Sequence, residues 1–198
     1  MPARRFTAPT SRRHSRLLSV TLNDWWSERA EEKYWMVAPP KGNLGPALMA
    51  PRHGGDHQRL EWTHEIVSLV EPGDTVFVWD RSAAQPGITG WSRAIGPRSV
   101  ELRPRTVRGR ESAPIAQWVM PVSDTLPLAH PIDLAALRKI GSDIVTLRDE
   151  LAATAQGPLY FPFIGGAHTL APAPGYTMKF PRDLFALLNA RYGFDFAL

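Results

Sequence analysis

The chain has 198 residues, 43% of them hydrophobic, with 19 prolines, 15 glycines, no cysteine and a formal net charge of +4. That length fits one domain with a tail, and the missing cysteine excludes disulfides, thiolate zinc sites and cysteine nucleophiles. With no apolar run of about 18 residues and no apolar segment behind the basic N-terminus, neither a membrane span nor a secretory signal is expected, and a cytoplasmic location is.

Residues 1–22 are expected to be a basic, disordered tail: Arg4, Arg5, Arg12, Arg13 and Arg16 stand there with no acid. Residues 23–198 form the expected folded domain. Tyr34 to Ala38 predict a first strand, stopped by Pro39-Pro40, and 41–58 is Gly/Pro-rich and predicts a loop. Trp62, Ile66 and Leu69 share one side of a short helix over 61–70. Pro72-Gly73-Asp74 is a turn into a strand at Thr75–Trp79, and Gln85-Pro86-Gly87 turns the chain into another at Ile88–Ile95. Val100 to Leu102 continue the sheet. Arg103 to Ser112 predicts a basic loop, after which Ile115 to Val122 returns as a strand.

Beyond residue 130 the apolar period lengthens. Pro131 suits the first turn of a helix, and Leu134, Leu137, Ile144, Leu147 and Leu151 recur at helical spacing through Ala153, with Gly141 weakening or splitting it. Residues 157–173 read as an aromatic loop. Pro181 opens a last helix with Leu184, Leu187 and Leu188 inward. Strands followed mostly by helices predict a small barrel-like sheet with helices packed on it around one core.

Nucleophile elbows, P-loops and dinucleotide fingerprints are absent from the sequence. His53, Asp56 and His57 lie within five residues of a glycine-rich stretch, where a metal site and a surface coincidence are the two readings. Asp143, Asp149 and Glu150 fit the solvated face of a helix, so no catalytic residue and no metal site are expected. The aromatic set says more. Six of the seven tryptophans, Trp25, Trp26, Trp35, Trp62, Trp79 and Trp91, fall in the first half. Either they are large core residues, or some are flat walls for an extruded base, which needs stacking on its face and hydrogen bonds to its edge.

The stretches Val70-Glu71-Pro72-Gly73-Asp74-Thr75-Val76-Phe77-Val78-Trp79 and Pro86-Gly87-Ile88-Thr89-Gly90-Trp91-Ser92-Arg93-Ala94, with Tyr34-Trp35 before them, resemble the EVE domain of the PUA superfamily, related to YTH domains. Gly157-Pro158-Leu159-Tyr160-Phe161-Pro162-Phe163 and Gly175-Tyr176-Thr177-Met178-Lys179-Phe180-Pro181 resemble the subgroup found in modification-dependent restriction systems. The resemblance spans about residues 23–190. It implies an α/β fold, a PUA-like pseudo-barrel of mixed strands with helices packed around it. It also implies a non-enzymatic reader that flips a modified base, such as a modified cytosine or adenine in DNA, into an aromatic pocket. Such a reader needs no cofactor and can serve a separate nuclease subunit. Residue by residue, the implied pocket is Trp35, Trp62, Trp79, Asp80 and Ser92. Trp35 and Trp79 would stack on the base, and Asp80 would accept from an exocyclic amine. Arg98, Arg103, Arg105, Arg108 and Arg110, against Glu101 alone, would hold phosphates. One departure is plain: the family's His-Ser-Asn-like run is here Trp79-Asp80-Arg81-Ser82, which changes the hydrogen bonds the pocket can make. A modified-RNA reader on the same fold, and a metal-dependent nuclease or deaminase using His53, Asp56 and His57, are the alternatives.

Overall fold

The computed structural model describes residues 22–40, 42, 44–52, 62–107 and 110–194, with only the backbone described at 105–107 and 110–112. Residues 1–21, the His53–His57 group and Arg108 lie outside the described residues. In chain order the elements are β1 (Tyr34–Val37), β2 (Ala47–Pro51), α1 (Trp62–Glu65) running into a 3-10 turn (Ile66–Leu69), β3 (Thr75–Asp80), β4 (Gly87–Arg93), β5 (Ser99–Val107), β6 (Arg110–Pro121) and β7 (Leu126–Asp133). Then come α2 (Leu134–Lys139), α3 (Gly141–Thr154), β8 (Phe163–Ile164), β9 (Ala171–Pro172), β10 (Thr177–Lys179) and α4 (Arg182–Tyr192).

A five-stranded sheet has the order β10-β1-β3-β4-β7, and a three-stranded sheet has the order β2-β6-β5. Within the first, β1 and β3 run parallel and the other neighbours antiparallel. A bridge between Ala94 and Val122 ties the two sheets together, giving the mixed α/β, barrel-like architecture expected.

Alternation along β3 explains why its run Thr-Val-Phe-Val-Trp is apolar throughout. Phe77 and Trp79 point to one face and join Met36, Ile88, Phe163, Leu137 and Leu184 under the helices. Val76 and Val78 point to the other and join Trp35, Val37, Leu48 and Met120 between the two sheets. A strand buried on both faces needs no polar alternation. So the central sheet carries two apolar clusters, where one core was expected. α1, the 3-10 turn and Trp26 close the open side of the second cluster.

The structure corrects three elements. Ala47–Pro51 is a strand, not loop; it lacks β-branched residues because its place is fixed by pairing with β6. Arg103–Ser112 is the far part of a β5–β6 ribbon, bent by a register shift between Arg103 and Arg105, where Pro104 has no N–H to give. Pro131 sits in β7, and the helix starts after Asp133, whose carboxylate accepts from Ala136 N at 2.6 Å. Gly141 does split the helical run: a Cβ there would run into the backbone of Ala167. Among the described residues no helix is long and apolar enough to cross a membrane.

Candidate nucleic-acid interface

Because β1 and β3 are parallel neighbours, both leave the sheet at the same end. There β1 runs into Pro39-Pro40, and β3 ends in Asp80. The Asp80 carboxylate turns back on its own chain. Oδ1 accepts from Ser82 N at 2.7 Å, Ser82 Oγ at 2.7 Å and Ala83 N at 3.2 Å. These bonds, that from the Ser82 hydroxyl foremost, hold the carboxyl below the usual aspartate range. Gly42 lies against this turn with φ +68°; a Cβ there would collide with Asp80 and stand 2.8 Å from Ser82 Oγ. Both the backbone angle and the space require glycine.

The expected aromatic walls do not converge here. Trp79 is 1% exposed on the helix-facing side, edge-on to Phe163 at 5.8 Å and 70°, and its indole N–H has no partner among the described residues. Trp35 is as deeply buried on the opposite face of the sheet, where its N–H donates to Asp74 Oδ2 at 2.7 Å. Side chains on opposite faces cannot sandwich one base, and as placed neither ring has a free face. Ser92 is fully buried against Thr125 Oγ1 at 3.0 Å. Trp62, half-buried on α1, lies tilted on Tyr160 at 4.7 Å. Only Asp80 and Trp62 of the five remain partly open to solvent.

What this end does build is an apolar cleft of about 450 Å3, lined by Pro39, Pro40, Leu44, Met49, Pro51, His64 and Tyr176. Small-molecule sites fall in the same range of volume and share this character, apolar walls with a few polar groups. The Tyr176 hydroxyl accepts from Met49 N at 3.4 Å along the free edge of β2, and burial pushes its pKa up. Its carbonyl accepts from Ala38 N at 2.9 Å, which joins β10 to the exit of β1.

The β5–β6 ribbon roots beside that cleft: Arg103 donates from Nη1 to Met49 Sδ at 3.4 Å. Arg103 also grips Glu101, at 2.9 Å and 2.8 Å, so much of its charge is answered locally. Arg98 lies over the Trp118 ring at 5.6 Å, and Arg52 over the same ring at 5.1 Å. Arg105 and Arg110 stand on the outer ribbon. Among the described residues no three His, Asp or Glu side chains gather as a metal site.

No family model matches this chain. Nor does any curated protein match it at a significant level. Solved structures do resemble it. The human THYN1 protein, in complex with DNA containing 5-methylcytosine, is 11% identical at a TM-score of 0.45, over 80% of this chain and 96% of that one. The DUF55 domain of human thymocyte nuclear protein 1 is 12% identical at 0.45, over 80% and 97%. A Pseudomonas syringae protein is 13% identical at 0.45, over 80% and 98%.

The other end of the barrel holds a second cleft, of about 440 Å3, over a polar cluster. Lys179 is fully buried there. Its ammonium donates to the carbonyls of Glu32 at 2.5 Å and Tyr34 at 3.2 Å, lies 3.6 Å from the Glu32 carboxylate, and sits over the rings of Trp35 at 4.7 Å and Trp26 at 5.4 Å. Burial draws its pKa down to about 8, against the pull of Glu32 and Asp74, and pushes both of those carboxyls up. Sequence reasoning missed Tyr176, Met49 and His64 at one end and Lys179 at the other. The Pro39-Pro40 stop after an apolar strand was the available signal for the cleft; nothing local marks Lys179 as buried.

Proposed function

We propose that this chain is a nucleic-acid-binding module that reads a modified base in DNA, a modified cytosine or adenine, turned out of its stack into the Pro39–Tyr176 cleft. The observation that carries this reading is an apolar recess with room for a base, whose Met49 wall is touched by the first arginine of a basic ribbon. A flat base needs apolar faces and a few edge partners; Tyr176 and His64 line the recess, Trp62 shares α1 with His64, and Asp80 ends β3 against Gly42. Trp35, Trp79 and Ser92 are buried away from this cleft and hold the fold rather than touch the base. Arg98, Arg103, Arg105, Arg108 and Arg110 hold phosphates. In this role the domain supplies specificity, and cleavage belongs to a separate nuclease subunit of a restriction system.

The test is fluorescence anisotropy with duplexes carrying 5-methylcytosine, a methylated adenine or no modification, and with the matching single-stranded RNA. Preference for one modified duplex is expected. Stacking of a base is worth about 1–3 kcal/mol, so His64→Ala and Met49→Ala should each cost about ten- to a hundredfold in that preference and leave weak, salt-sensitive binding. Stronger binding of the modified RNA would move the reading to RNA. Equal binding of every oligonucleotide by the wild type would end it.

A further inference from the structure

Strand β6 lies between β2 and β5, and residues directly opposite one another share a face. Trp118 is opposite Ala50 on one side and Val100 on the other, and Leu102 is opposite Ala116, so these side chains lie on one face. The Trp118 N–H donates to Glu65 Oε2 at 3.0 Å, which pins the ring. Against that ring stand two guanidinium groups, Arg52 at 5.1 Å and Arg98 at 5.6 Å. Among the described residues neither has a carboxylate at ion-pair distance, and Arg52 Nε is shielded from solvent with no hydrogen-bond partner. Further along the same face Val100 is 41% exposed and Leu102 76%. The other face of the ribbon differs. There Ser99 and Arg103 both bond to Glu101.

We infer that the Trp118 face is a nucleic-acid backbone track: Arg52 and Arg98, held on the indole, each take a phosphate, and Val100 and Leu102 lie against the sugars beside them. The inference rests on the reading of the chain as a nucleic-acid binder. A guanidinium held over a ring by cation–π attraction still has N–H donors to turn to a phosphate. Because the ring already holds it in place, little side-chain freedom is lost on binding. Two unanswered cations set on one aromatic platform, with exposed aliphatic groups next to them, match a chain that alternates anionic and apolar units.

The experiment measures binding of the full chain to an unmodified duplex and to the same duplex with 5-methylcytosine, across sodium chloride concentrations. An Arg52→Ala, Arg98→Ala double variant should weaken both duplexes alike, about tenfold or more at low salt. It should also shallow the log–log salt slope by about two. The matching double lysine variant, which keeps the charge, should keep the slope. Trp118→Leu should keep the slope but lose affinity, because the arginines lose their platform, and Trp118→Phe should restore most of it. Arg103→Ala should change the slope less than either single alanine variant. An unchanged slope in the double variant overturns the proposal even where the modified-base preference persists. Loss of slope in a protein whose wild type shows no preference supports the track and removes the base-reading assignment instead. A wild type that binds neither duplex removes both.

Discussion

At the end of the barrel where β1 begins, Trp26 and Trp35 close on the Lys179 ammonium, which Glu32 and two carbonyls answer, while Asp74 accepts from the Trp35 N–H. At the end where β1 leaves, Pro39, Pro40, Met49 and Tyr176 surround a recess of about 450 Å3, across which Met49 N donates to the Tyr176 hydroxyl. Both ends are aromatic and both hold a cleft of similar volume. What separates them is saturation. A cage already filled by the protein's own cation holds the fold together, whereas an open recess with apolar walls can take a ligand. Richness in tryptophan by itself therefore does not mark a ligand-binding end.

The comparison breaks most visibly at Lys179. Lys179→Ala leaves Glu32 buried without its partner, and breaking such a pair costs about 3–5 kcal/mol. The urea midpoint should fall sharply, while the folded fraction keeps its preference among oligonucleotides. Adding Glu32→Gln in the same chain should recover part of the loss. If Lys179→Ala instead melts like the wild type and loses selectivity, the polar end is the binding site and the assignment of the two ends is reversed.

Trp79→Ala should cost about as much, roughly 3–5 kcal/mol, because it empties a large site between Phe163 and the sheet. Trp79→Phe should cost much less, since it also removes an indole N–H that has no acceptor among the described residues. Loss of base preference in a Trp79→Phe protein of near-normal stability would show that this ring reaches the ligand.

A smaller effect sharpens the contrast through pH. Lys179 has a pKa of about 8 folded, against an ordinary value of 10.5. Between those values the unfolded chain holds the proton that the folded chain has released, so stability rises with pH. The penalty of the buried ammonium is full below about pH 8 and relieved above it. Tyr176 acts the other way: its raised pKa leaves the folded state protonated while the unfolded chain ionises, but only from about pH 10 upward. The denaturation midpoint should therefore climb from about pH 8 to 10 in the wild type. It should stay flat over that range in Lys179→Met. A midpoint that falls across the range in the wild type contradicts the burial of that ammonium.

Strand β3 was legible because its apolar run and its Pro-Gly-Asp turn are local, and the turn matches the observed Asp74 bonds to Glu71 N and Trp35. The same is true of β1, β4 and α4, and of the Gly141 break. Strand β2 and the outer ribbon were not legible: Ala-Leu-Met-Ala-Pro and an arginine-rich run are held as strands by partners more than fifty residues away or by a hairpin, not by their own preference. The site followed the same division. The five pocket residues were named through the resemblance, but whether a tryptophan faces ligand or core depends on which face of the sheet it takes. Trp35 and Trp79 were paired from sequence, and the pleat and parallel pairing put them on opposite faces.

The smallest effect belongs to Asp80, the charged member of the expected pocket, which stands where β3 leaves the sheet. Its Oδ1 caps the turn through Ser82 and Ala83, and an amide oxygen can accept the same bonds. Asp80→Asn should leave the melting temperature close to wild type, whereas Asp80→Ala strips the turn of its acceptor and should cost about 1 kcal/mol or a little more. Binding separates two roles. If the second carboxylate oxygen receives an exocyclic amine, an asparagine amine placed there offers a donor where an acceptor was needed. The ranking of modified duplexes should then change in Asp80→Asn, by about tenfold between the best and the next, with the salt slope altered only slightly. If both variants keep the ranking and only Asp80→Ala loses stability, the carboxylate does no more than shape the turn, and the edge of the base is met by Tyr176 and His64 alone.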